Sequence, residues 1–141
     1  DGEIAAFVAG LGTCGTLSGV SSTLRDKGAN VRIVGVEPAE APFFRTGHFE
    51  PHPIPGVVPG FTPQNYDPSL VDEIVDVPGD AAYASAAELA ESEGILVGIS
   101  SAATAWTAGE IACRPEFVNK LVVDVIADSG ERFLSTAGYL E

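Results

Sequence analysis

The sequence predicts an α/β fold: an open, mostly parallel sheet in three layers, with helices on both faces. Three observations carry this expectation. Short apolar runs at residues 3–9, 31–37, 70–77 and 121–127 each stop at Gly10, Pro38, Pro78 or Asp128, as buried strands of a parallel sheet do. Helical periodicity fills the gaps between them, with Leu17, Val20 and Leu24 recurring at three and four. The first strand, helix and second strand fit within about 35 residues, the length of a right-handed βαβ unit.

Taken in order, residues 3–9 form the first strand and residues 16–27 an amphipathic helix that Gly28 ends, with Gly19 expected to pack closely on the sheet. Residues 31–37 form the second strand, and residues 39–47 a short, weakly specified helix. Residues 48–67 are proline-rich, carry three aromatics and show no period, which fits a functional flap over the domain. A strand at 70–77 follows, then a helix over 81–93 with Asp80 as its N-cap. The apolar run 95–99 leads into Ser100, placed to cap a helix through Ala112. Residues 121–127 form the last strand, and a short helix starts at Arg132.

The chain has 141 residues with 45% hydrophobic content, enough for one domain over residues 1–141 with a real core. A net charge of −13 argues against binding nucleic acid or an anionic membrane, both of which need a basic face. No apolar run approaches the roughly 20 residues of a membrane span, so a cytoplasmic location is expected. The sequence contains no methionine and opens almost directly into a strand, which points to a piece of a longer protein. Cys14 and Cys113 have no metal or redox spacing, and His48 and His52, though four apart, fall in a proline-rich loop without a third ligand. No metal site is expected.

Ligands of open α/β sheets bind at the carboxyl ends of the strands. Three loops lie there: Gly10 to Thr16, Gly98 to Ser101, and Asp128 to Glu131. The first is a glycine loop between a strand and a helix, where free N–H groups and the helix dipole hold phosphate. Gly10-x-Gly12-x-x-Gly15, with Glu37 ending the next strand, satisfies a dinucleotide fingerprint, so an NAD-binding oxidoreductase domain is one reading. Thr13 and Thr16 add hydroxyl donors that suit a terminal phosphate monoester better than a bridging pyrophosphate.

Gly12-Thr13-Cys14-Gly15-Thr16-Leu17-Ser18-Gly19 resembles the phosphate loop of the cysteine synthase (O-acetylserine sulfhydrylase) family, of the tryptophan-synthase-β-like PLP fold. The likeness continues at Val34 to Pro38, Gly56-x-x-x-Gly60-Phe61, Leu70 to Glu73, Glu93 to Ser101 and Asp128 to Thr136, in the family's order. The resemblance implies that this chain is the Rossmann-like, C-terminal part of such an enzyme. Gly12, Thr13, Cys14, Gly15 and Thr16 would hold the phosphate of pyridoxal 5′-phosphate, and Ser100 would hydrogen-bond its pyridine nitrogen. A neutral hydroxyl there leaves the ring nitrogen largely unprotonated, which suits β-elimination and replacement. The implied reaction replaces the acetate of O-acetyl-L-serine, or a related activated serine, with sulfide to give L-cysteine. A homodimer is implied, with serine acetyltransferase as a partner of some relatives.

This sequence departs from the family at three places. Cys14 stands where glycine is usual, and a positive φ there would be costly. Ala102 replaces the glycine after the paired serines, and Pro55 and Pro59 stiffen the flap. Family members attach the cofactor to a lysine in their N-terminal part, and the loop that grips the substrate carboxylate also lies outside the matched segments. Lys27 lies about 16 Å beyond the loop along its helix, and Lys120 precedes a strand at the opposite edge, so both read as surface charges. No catalytic residue is therefore expected in this chain, which alone should be inactive. A non-catalytic scaffold or partner-dependent piece is the remaining alternative. Glu37 in a plain strand-end role, Trp106 in the core, and Ser135 and Thr136 as helix-terminal hydrogen bonders complete the expectations.

Overall fold

The computed structural model describes residues 3–140. Strands β1 (Ile4–Gly10), β2 (Arg32–Pro38), β3 (Glu73–Val77) and β4 (Leu121–Asp124) form one sheet in the order β3-β2-β1-β4. Every pairing between them is parallel. Helix α1 (Gly15–Asp26) links β1 to β2, and α2 (Phe43–Thr46) is a single turn at the start of the long connection to β3. Helices α3 (Gly79–Ser92) and α4 (Ile99–Ala112) then carry the chain back to β4.

Alternation along the strands divides the core in two. Phe7, Ala9 and Leu11 pack with Leu17 of α1 and Ile33 of β2 on one face. Ala6 and Val8 pack with Val34, Ala86, Ile99 and Ala103 on the other, beneath α3 and α4. The sheet is thus covered on both faces, as parallel strands with helical crossovers require. The chain lays down β1, β2 and β3 in one direction and then returns to add β4 on the far side of β1. That reversal opens a crevice at the carboxyl ends of β1 and β4.

Several local expectations are corrected. α3 starts at Gly79 with Pro78 as its N-cap and no side-chain cap, so Asp80 is not the capping residue. The orphan Gly79 N–H is taken from a distance, by Glu40 Oε1 at 2.8 Å, while Asp80 accepts from Ala81 N–H. Residues 95–99 form no strand: Val97 makes a single antiparallel bridge to Ser129 before α4 begins. The strand expected from residue 70 starts at Glu73, after a 3-10 turn over Pro68–Leu70 that the Asp67 side chain caps. β4 ends at Asp124, and the last helix is only a 3-10 turn over Gly130–Phe133. Gly19 is exposed, and a Cβ there would meet nothing within 4 Å, so close packing does not explain it. Trp106 packs against the core only partly and lines a surface groove between α3 and α4.

Candidate cofactor-binding site

The crevice is built first from the end of β1. Leu11 N–H continues the ladder to Val36 O at 2.9 Å, and the chain then turns sharply into α1. Cys14 is the N-cap, with a left-handed backbone (φ 61°, ψ 7°) and no side-chain cap bond. A left-handed residue followed by a helical one turns successive N–H groups into a shared concavity. The first intrahelical N–H to close is that of Ser18, onto Cys14 O at 2.9 Å. The N–H groups of Gly15, Thr16 and Leu17 are therefore helix orphans at the positive end of the α1 dipole. A Cβ on Gly15 would meet only Thr13 Oγ1, at 3.8 Å, so no protein group demands glycine there.

The flap lies across this loop. Val58 N–H donates to Leu11 O at 2.8 Å, and Ser18 Oγ donates to Asn65 O at 2.5 Å. A Cβ on Gly12 would stand 2.5 Å from Gly56 O, so glycine at 12 is required by the flap's approach rather than by any ligand. Val58 itself has φ 47°, an outlier for a β-branched residue.

The third wall is the start of α4. Gly98 is its N-cap, so Ser100 lies in the first turn and is not the cap. Its neighbour Ser101 does the structural work. Ser101 Oγ accepts from Ala127 N–H and Asp128 N–H at 2.9 and 3.2 Å and donates to Asp128 Oδ1 at 2.6 Å. The Asp128 turn therefore backs the site instead of lining it. A Cβ on Gly56 would come within 3.4 Å of Ser100 Oγ, which brings flap, glycine loop and α4 to one place.

Between them is a cleft of about 160 Å³, bounded by Gly12 to Thr16, Gly56, Ser100, Thr104 and Ala127. Ligand pockets commonly hold about 300–1,000 Å³, so this one encloses only part of a ligand. Among the described residues no charged side chain lines it. Burial pushes the Cys14 thiol up to about 11, so that group stays neutral. Among the described residues the hydroxyls of Thr13, Thr16 and Ser100 make no hydrogen bond. The buried hydroxyls of Ser21, Ser101, Thr104 and Thr107 are bonded, whereas that of Ser85 makes no hydrogen bond among the described residues. Orphan N–H groups, a helix N-terminus and unspent hydroxyls suit an anion with several oxygens, and a phosphate monoester fits that donor set.

Glu37 takes no part. It is fully buried and accepts from Phe44 N–H at 2.7 Å and Arg45 N–H at 3.3 Å, which spends its oxygens on α2 and leaves none for a ribose. Burial raises its pKa, and those two N–H groups oppose the rise. Lys27 follows the end of α1 and Lys120 immediately precedes β4, both exposed and remote from the cleft. His48 pairs with Glu50 at 3.1 Å, and His52 Nε2 lies 3.3 Å from Val58 O inside the flap. Thr104, Val125 and Ala127 are among the lining positions that pattern reading did not single out as site residues.

This parallel α/β fold with a cleft at its switch point is one found among pyridoxal-phosphate-dependent enzymes. The family model of that description matches residues 1–128, and the chain belongs to this family. Its relatives within the family include cysteine synthases. The chain is 42% identical to the cysteine synthase of Haemophilus influenzae, over 97% of its own length and 46% of that protein's. Cysteine synthase A of Escherichia coli is 41% identical over 97% and 45%. The crystal structure of O-acetyl serine sulfhydrylase isoform 3 from Entamoeba histolytica matches 99% of this chain and 42% of that one, with a TM-score of 0.94 at 34% identity. That of O-ureido-L-serine synthase matches 96% and 43%, with a TM-score of 0.90 at 39% identity. The chain thus spans less than half the length of these relatives.

Proposed function

We propose that this chain is the cofactor-binding part of a cysteine synthase-like enzyme. In this reading the N–H groups and threonine hydroxyls of Gly12, Thr13, Cys14, Gly15 and Thr16 hold the phosphate of PLP, and Ser100 Oγ meets its pyridine nitrogen. The observation that carries it is the trio of unspent hydroxyls on Thr13, Thr16 and Ser100 around one uncharged cleft. Bound PLP supplies an electron sink that makes the β-carbon of an activated serine replaceable. The chain's own residues bind and orient: the loop neutralises the phosphate, and Ser100 holds the ring without a carboxylate. Gly56 and the flap exclude water from the cleft's side.

The reaction proposed for the whole protein is replacement of the acetate of O-acetyl-L-serine, or of a related leaving group, by sulfide to give L-cysteine. The attaching lysine and the substrate-carboxylate loop would come from polypeptide outside these residues, so this chain alone would not turn over. A cytoplasmic homodimer, open to serine acetyltransferase as a partner, belongs to the same reading.

Titration with PLP followed by visible absorbance and fluorescence tests it. Thr13→Val and Thr16→Val should each weaken binding by roughly tenfold, the size of one charge-assisted hydrogen bond. Ser100→Ala should keep phosphate affinity and shift the spectrum of the bound ring. Unchanged affinity in both threonine variants would sink the assignment. Formation of L-cysteine from O-acetyl-L-serine and sulfide by the full-length protein tests the reaction.

A further inference from the structure

Asp124 is a partly buried carboxyl group with no role in the site described so far. It ends β4 and pairs in register with Val8 of β1, so its side chain faces α4, where Thr104 waits for it. Thr104 Oγ1 has one hydrogen and three acceptors in reach: Ser101 O at 2.8 Å, Val125 O at 3.2 Å and Asp124 Oδ2 at 3.3 Å. A hydroxyl donates once and accepts twice. With its hydrogen on the nearest acceptor, Ser101 O, Thr104 turns lone pairs toward Asp124. Two lone-pair oxygens then face each other unless the carboxyl carries the proton.

We infer that Asp124 is a positioning residue of the cleft: its carboxyl holds a proton, donates it to Thr104 Oγ1, and thereby keeps the wall beside the anion site uncharged. Thr104 lines the cleft directly, as does Val125, the residue after Asp124. Burial is the largest influence on the Asp124 pKa and pushes it up; a hydrogen bond donated by Thr104, or by its own backbone N–H, works the other way. Other ionisable groups on the packed elements are few. β1 has none from Ile4 to Gly10, and α4 has only Glu110, six residues beyond Thr104. Asp128 is engaged with Ser101. As pH rises through the Asp124 titration, a carboxylate appears beside a site built for phosphate, and anion affinity falls. Below that pH the wall is neutral and affinity is full.

The consequence for ligand binding rests on the PLP reading above; the protonation does not. Two measurements on the full-length polypeptide freed of cofactor separate them. Carboxyl ¹³C shifts, assigned with Asp124→Asn, give the titration directly. A midpoint above the ordinary aspartate range, about 4, is expected, and an ordinary midpoint overturns the inference. PLP dissociation constants measured across the Asp124 titration that the ¹³C shifts give should rise about tenfold more in the wild type than in Asp124→Asn, the scale of one nearby unit charge in a partly screened site. Asn keeps the donor to Thr104 and removes the charge, so the variant also cancels the titration of the phosphate itself. Parallel pH profiles in the two proteins overturn the inference. Absence of PLP binding in both overturns the cofactor reading instead, and the ¹³C midpoint still decides the proton.

Discussion

Cys14 stores strain at the centre of the cleft. A left-handed backbone costs an L-residue with a Cβ roughly 1–2 kcal/mol, and Cys14 holds φ 61° while 2% exposed. In the reading proposed above, what Cys14 offers the phosphate is a backbone N–H, which any residue supplies. The comparison that isolates the strain is Cys14→Gly against Cys14→Ala. Both lose the thiol, but only glycine relieves the backbone. Glycine should be the more stable by about 1 kcal/mol in urea unfolding, with PLP affinity kept. An alanine variant equal to the glycine one would show that the φ carries no cost. Val58 illustrates the opposite balance. Its φ of 47° carries a similar cost, but burying a valine side chain contributes about 1.5–3 kcal/mol, so burial outweighs strain and the valine is tolerated.

At the scale of elements, side chains distant in sequence cap the short pieces. α2 is one turn long, below the length at which a helix holds itself. Its first N–H groups are held by Glu37 from the end of β2. Glu37→Ala leaves two N–H groups without their acceptor, and a loss of about 2–3 kcal/mol is expected in chemical denaturation. A loss confined to a few tenths would mean that water replaces the carboxylate freely. The same device recurs where Glu40 caps α3 and where Ser101 gathers the N–H groups of Ala127 and Asp128. Through that last contact α4 is set against the segment after β4, which leaves Ser100 turned to the cleft.

At the scale of the whole molecule, charge is the distinctive property. A net charge of −13 on 141 residues repels itself. The ion pairs that oppose it, Arg25–Asp72, Arg45–Asp76 and Arg114–Glu73 among them, are all partly exposed and individually worth little. Screening should therefore remove more repulsion than attraction. The melting temperature is expected to rise as sodium chloride goes from 0.05 to 1 M, and a fall would mean that the pairs dominate.

What the sequence by itself determined is the part governed by local periodicity and short-range chemistry. Apolar runs ending at Gly10, Pro38 and Pro78 marked the strands, and the spacing of Leu17, Val20 and Leu24 marked α1. Thr13 and Thr16 within a glycine loop pointed to a phosphate there, the role proposed above. The role proposed for Ser100 came only from its flanking motif, since by position it looked like a cap. Tertiary structure decided everything that depends on a distant partner. It assigned Glu37 to α2 rather than to a ribose, and it gave Gly79 its cap from Glu40. It also required glycine at 12 because the flap's Gly56 carbonyl crosses there. It placed Asp124 opposite Thr104. The physical reason is common to all four: a hydrogen-bond partner or a steric neighbour 20 or more residues away, or across the turn of an adjacent element, leaves no period in the chain. Only packing brings the two together.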